Sequence, residues 1–104
     1  MLTLNRVALC QLDELPVGLG RAFEVDGMPL AVFRTRAGRI FAVDGICPHK
    51  GASLADGMLA GESVVCPYHA FRFDSDTGEC DQAGTCEIAT YPVEVTDAGV
   101  FVTI

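Results

Sequence analysis

Two short clusters hold both histidines of this 104-residue chain and two of its five cysteines: Cys47-Pro48-His49-Lys50-Gly51 and Cys66-Pro67-Tyr68-His69-Ala70. One residue separates Cys47 from His49, two separate Cys66 from His69, and sixteen lie between His49 and Cys66. A thiolate is a soft anionic donor, and imidazole suits iron and zinc alike. One of each in two compact loops makes Cys47, His49, Cys66 and His69 a four-ligand metal set. Pro48 and Pro67 follow the two cysteines. Each fixes φ at about −65° and removes a backbone donor there, and the other loop N–H groups are free to point at sulfur.

Cys-x-His followed by Cys-x₂-His resembles the Rieske [2Fe-2S] family, in which two histidines replace two cysteines on one iron. The flanking residues agree: Gly51, Leu54 and Gly57 before the second half, then Phe73-Asp74, Thr77-Gly78 and Tyr91-Pro92-Val93 after it. The resemblance runs from Arg6 to Val102 and implies a Rieske-type [2Fe-2S] cluster held by Cys47, His49, Cys66 and His69. Two ferric ions, two sulfides and two thiolates sum to zero, whereas four thiolates leave the site dianionic. The mixed set therefore accepts an electron more readily than a plant-type cluster. A bound metal also shifts the imidazole pKa, so protons can follow the electron. Two rival readings use the same residues: a structural Cys₂His₂ zinc module, whose pairs are usually spaced more widely, and a redox sensor whose cluster state alters partner binding.

Within the family, the high-potential proteins of respiratory bc complexes resemble C-T-H-L-G-C and C-P-C-H-G-S-x-Y. This chain has Ala52 and Tyr68 at the extra cysteine positions, and Phe71 and Phe73 where hydroxyls would reach sulfur. Fewer hydrogen bonds to sulfur stabilise the reduced state less, which implies a potential on the order of −150 mV. Ala70 replaces the usual glycine after the second histidine and restricts that loop. Length, acidity and Gly51-Ala52-Ser53-Leu54-Ala55-Asp56-Gly57 look like the ferredoxin components of aromatic-ring dioxygenases. Those pass electrons from an NAD(P)H-dependent flavin reductase to a terminal oxygenase. Cys47 to Gly51 and Gly84-Thr85-Cys86 also resemble the small subunit of assimilatory NAD(P)H nitrite reductase, whose partner is the large subunit. With all four ligands from protein, no coordination position is open. No third histidine is present for a 2-His-1-carboxylate iron site. The reading is an electron-transfer component with no catalytic residue of its own. Lys50, the one cation beside a ligand, either contacts the partner or is a solvated lysine.

The formal charge of −7 is uneven. Residues 1–39 carry five arginines against Asp13, Glu14, Glu24 and Asp26, while residues 40–104 carry Lys50 and Arg72 against ten carboxylates. Nucleic acid is excluded as a partner by sign. An acidic half around a redox site either steers a basic docking surface or only keeps the protein soluble. No apolar run reaches the roughly 18 residues of a membrane span, and Met1 to Arg6 shows no signal-peptide pattern, so the expected location is the cytoplasm. An odd cysteine count argues against a disulfide framework. Cys10, Cys80 and Cys86 read as small buried hydrophobes; Cys80 and Cys86 are spaced for a bridge, which a reducing compartment disfavours.

The rest of the chain must hold the two loops together. Short β-rich runs between Gly, Pro and Asp predict an all-β fold. Strands are expected at 6–10, 21–25, 30–34, 39–43, 63–65, 71–74, 91–96 and 100–104, with a tight turn at Asp26-Gly27, a helical turn at 13–15 and a final hairpin over Asp97-Ala98-Gly99. Residues 80–90 carry no clear pattern. One domain is expected, a Rieske-type β-sandwich or barrel. Its base is 1–44 and 75–104, with strands from both chain ends, and its cluster-binding insertion is 45–74.

Overall fold

The computed structural model describes residues 6–47, 53–66, 72–75, 77–80 and 88–104. Among them are ten strands: β1 (Arg6–Cys10), β2 (Gly20–Val25), β3 (Met28–Arg34), β4 (Ile40–Asp44), β5 (Met58–Ala60), β6 (Ser63–Val65), β7 (Arg72–Asp74), β8 (Thr90–Tyr91), β9 (Val93–Thr96) and β10 (Gly99–Thr103). The two helical pieces among these residues are single 3-10 turns, Leu12–Glu14 and Leu54–Asp56. The fold is all-β, as the patterning predicts.

β2, β3 and β4 form the expected meander, and β8 extends it into a sheet of order β2-β3-β4-β8. Asp26 and Gly27 link β2 to β3, both with positive φ, 51° and 79°. Two such residues in a two-residue loop match the twist of paired strands, and a glycine adopts that geometry without a Cβ clash. β1 pairs with β10, and β10 with β9, so the two ends of the chain share one sheet. The expected strand 91–96 is split at Pro92, which lacks an N–H and cannot continue a ladder. The chain changes sheets there: Tyr91 stays paired with Ala42 of β4, and Val93 pairs with Val102 of β10.

β5, β6 and β7 make a third antiparallel sheet. β5 and the Leu54–Asp56 turn occupy a glycine-punctuated stretch where the sequence shows no strand pattern.

Side chains alternate across β3 and β4 and divide the core in two. Ala31, Phe33, Phe41 and Val43 face Leu54, Ala55, Val64 and Phe73 of the central segment. Leu30, Val32 and Ala42 face Leu15, Val25, Val100 and Val102. Both faces of the central sheet are covered, which is why β3 reads as a continuous apolar run instead of an alternating one.

Candidate metal centre

β4 ends three residues before Cys47, and β6 ends one residue before Cys66. Both cysteines are about 1 % exposed, and both belong to the same buried cluster on one face of the central sheet. Each stands at the start of a loop closed at its base by backbone pairing. Ile46 bridges to Ser53, and the Leu54 N–H donates to the Gly45 carbonyl at 2.8 Å. Around the second loop, Val65 pairs with Arg72.

The structure thus brings Cys47 and Cys66 into one apolar core. His49 and His69 lie outside the described residues, as do Lys50, Ala52, Tyr68, Ala70, Phe71 and Cys86. Among the described residues no three His, Cys, Asp or Glu side chains converge. Phe73, where a hydroxyl would stand in a high-potential relative, is fully buried in the same cluster and offers sulfur no hydrogen bond. Cys80 is partly buried against this cluster, and Cys10 against the other. Burial and then the Glu14 carboxylate push the Cys10 thiol up in pKa, which keeps it protonated.

The second loop depends on a close approach at Gly57. A Cβ there would meet the Val65 carbonyl oxygen at 2.1 Å, so the 3-10 turn can lie against β6 beside Cys66 only with glycine at its end. The third sheet is tied to the central one by Arg39, whose Nη1 donates to the buried Ser75 hydroxyl at 2.7 Å. The same guanidinium stands 3.8 Å from Glu62 and over the Phe41 ring.

One feature beside the first loop escaped the sequence reading. The Asp44 carboxylate accepts the Ala89 N–H at 2.7 Å and the Tyr91 hydroxyl at 2.9 Å, and the Asp44 N–H donates to the Ala89 carbonyl at 3.0 Å. Burial, this hydrogen bond and the carboxylate's charge push the Tyr91 hydroxyl up to about 12. The partners are 45 and 47 residues apart, so no local pattern announces them; Tyr91-Pro92-Val93 stood out as a motif but had no role. The exposed carboxylates Asp56, Glu62, Asp74 and Glu79 lie on or near the third sheet. Met58 of β5 and Ile46, next to Cys47 in sequence, are exposed apolar side chains, at 72 % and 43 %.

Residues 5–92 match the model of the Rieske [2Fe-2S] domain family. The chain is 36 % identical over 96 residues to the ferredoxin component of the naphthalene 1,2-dioxygenase/salicylate 5-hydroxylase systems of Ralstonia sp, with 90 % of each covered. In structure it is similar to an NADH-dependent nitrite reductase small subunit from Mycobacterium tuberculosis, with TM-score 0.90, 27 % identity, and coverage of 98 % of this chain and 96 % of that one. It is similar also to the ferredoxin of carbazole 1,9a-dioxygenase from Nocardioides aromaticivorans IC177, with TM-score 0.83, 31 % identity, and coverage of 93 % and 95 %. The cofactor these matches imply is a Rieske-type [2Fe-2S] cluster. Two cysteines buried in one apolar cluster, each directly after a strand or its closing bridge, fit the thiolate half of that ligand set.

Proposed function

We propose that this chain, which belongs to the Rieske [2Fe-2S] family, is a cytoplasmic one-electron carrier that serves a terminal oxygenase. Cys47, His49, Cys66 and His69 are its ligands in this reading. Residues 45–74 are the cluster-binding insertion, and 1–44 with 75–104 are the base. The observation that carries the proposal is the burial of Cys47 and Cys66 together in one core, each beside backbone pairing that closes the segment it begins. When bound, the cluster supplies a site that takes up and releases a single electron. The protein's part is to exclude water from the thiolates, to withhold hydroxyl donors through Phe73, and to hold both loops on one rigid sheet. Potential follows from those contacts, and the expected value is on the order of −150 mV.

The ferredoxin components among its relatives support an NAD(P)H-dependent flavin reductase as donor and an aromatic-ring oxygenase as acceptor. The acidic surface of the second half suits a basic docking face. A second reading is favoured by the similarity at TM-score 0.90 to a nitrite reductase small subunit: there the chain is the electron-transfer subunit of that enzyme. No helix among the described residues is long and apolar enough to cross a membrane.

The decisive experiment reduces the purified protein with dithionite and records visible and EPR spectra. A Rieske spectrum with two irons and two sulfides per chain is expected; a colourless protein with stoichiometric zinc overturns the reading. The reduced protein is then offered to an aromatic-ring oxygenase and to a nitrite reductase large subunit. Oxidation by the first alone is expected, and oxidation by the second alone moves the assignment to nitrite reductase.

A further inference from the structure

We propose that Asp44 sets the electron affinity of the site by holding a fixed negative charge at the end of the strand that delivers Cys47. The proposal rests on the reading of Cys47 as a ligand. Many carboxylates contribute to the acidic second half of the chain, but most that the structure describes are exposed, and water screens their fields. Asp44 is different in three respects. It is partly buried. Both its carboxylate oxygens are engaged, Oδ2 by the Ala89 N–H and Oδ1 by the Tyr91 hydroxyl. Its own N–H is bonded to the Ala89 carbonyl, and the next residue, Gly45, donates to the Pro29 carbonyl at 2.9 Å and accepts from Leu54. The charge is therefore tied by hydrogen bonds to the backbone that leads into Cys47.

Three residues of chain span at most roughly 11 Å, which bounds the separation of the Asp44 and Cys47 backbones. Asp44 pairs with Leu30 in the sheet, and Leu30 faces the core opposite the one that holds the cysteines. Its charge thus acts through the sheet, where the effective dielectric constant is well below that of water. A negative charge there opposes electron uptake. The Tyr91 hydroxyl points its positive end at that carboxylate and partly offsets it.

The two groups therefore predict shifts of opposite sign. With the protein poised at the wild-type midpoint, Asp44→Asn raises the ratio of reduced to oxidised protein by about threefold. Tyr91→Phe, which keeps the charge and removes the donor, lowers that ratio by a smaller factor. Asp97→Asn removes the same charge from the exposed β9–β10 turn and leaves the ratio unchanged. A clamp that acted only by holding the backbone would move Asp44→Asn and Tyr91→Phe in the same direction, because each loses one tie. The test is a dye-mediated redox titration of the holoprotein, followed by visible absorption and EPR. A wild-type protein without a Rieske spectrum overturns the ligand reading and this proposal with it. A wild-type spectrum with both variants at the wild-type midpoint, or shifted together, overturns the proposal alone. If Asp44→Asn fails to retain a cluster, Tyr91→Phe decides: a lowered ratio supports the proposal, and an unchanged or raised one overturns it.

Discussion

The central sheet has two buried faces that are built differently. On the base-facing side, Leu30, Val32 and Ala42 pack on Val100 and Val102, which come from a five-residue strand paired across the two ends of the chain. On the site-facing side, Ala31, Phe33, Phe41 and Val43 carry Val64, Phe73, Cys47 and Cys66, and the sheet opposite is made of strands only three residues long. Strands that short are not stable by themselves. They keep their place because Phe33 and Phe41, with ring centroids 5.3 Å apart, give them an apolar floor, and because Arg39 ties them at one end. The base face stores stability in long strands. The site face, in its described residues, is built from three-residue strands and one 3-10 turn and leans on the shared sheet.

The sharpest way to separate the faces is at the thiols. Cys47→Ser or Cys66→Ser is expected to abolish the visible absorption of the purified protein while leaving the far-UV signature of the β1-β10-β9 sheet in place. Retention of a full cluster in either variant would break the ligand assignment.

Next in size come matched deletions in the two cores. Phe33→Ala is expected to cost about 3–5 kcal/mol and Leu30→Ala about 2–5 kcal/mol, against a total stability of roughly 5–15 kcal/mol for a domain of this kind. Both residues are fully buried. The difference lies in the cofactor: Phe33→Ala should lose cluster along with stability, and Leu30→Ala should keep its visible spectrum up to its own unfolding transition. Chemical denaturation read in parallel by absorbance and circular dichroism checks this, and coincident cluster loss in both variants would show that the two faces act as one. Gly57→Ala is a smaller perturbation of the site face. Its methyl must displace the Val65 carbonyl, at about 1–3 kcal/mol for an overpacked position. The displaced backbone leads into Cys66, so iron content should fall further than the melting temperature suggests.

The two faces were not equally legible. β1, β6 and the Asp26-Gly27 turn stand where local pattern puts them, because alternation and turn chemistry are properties of a few adjacent residues. The helical turn lies at Leu12–Glu14, one residue before its expected place. β3 begins at Met28, two residues early, since a proline at position 29 is tolerated near the start of a strand. β5 was hidden because Gly57 and Gly61 bracket a three-residue strand too short to show a period. Pro92 was visible as a residue, but its role in moving the chain from one sheet to another depends on partners 50 and 10 residues away. In the site, the cysteines were legible because Cys-Pro repeats at recognisable spacing. Asp44, Arg39 and Ser75 were not, because their bonds join segments distant in sequence, and an isolated Asp, Arg or Ser reads as surface. The expected strand 71–74 is seen from Arg72, and Phe71 lies outside the described residues.

Arg39→Ala tests the tie between the faces. It removes the donor to a buried serine hydroxyl, and the exposed part of its contact with Glu62 adds little. The expected loss is about 1 kcal/mol, with the shift appearing first in the absorbance transition of the cluster. Ser75→Ala, which removes the acceptor and leaves the partly exposed Arg39 guanidinium to water, should cost less than Arg39→Ala; the reverse order would remove Arg39 from its role as a pin.

The smallest effect belongs to pH and to the base-facing side, against which Tyr91 packs. Its hydroxyl titrates near 12 when folded and near 10 when unfolded. Between those values the unfolded chain has released a proton that the native protein still holds. Since ∂ΔG/∂pH follows the protons bound in the unfolded state minus those in the native state, stability must fall as pH rises. The contribution is fully present below about pH 10 and is lost as pH climbs through about 12. Partial exposure of Tyr91 lets solvent screen the effect, so the slope is shallow. Urea midpoints at pH 9 and pH 11.5 should therefore differ more for the wild type than for Tyr91→Phe, which has no proton to lose at that position. Equal differences in the two proteins would mean that the Asp44–Tyr91 bond does not survive in solution, and the fixed charge behind Cys47 would lose the partner that anchors it.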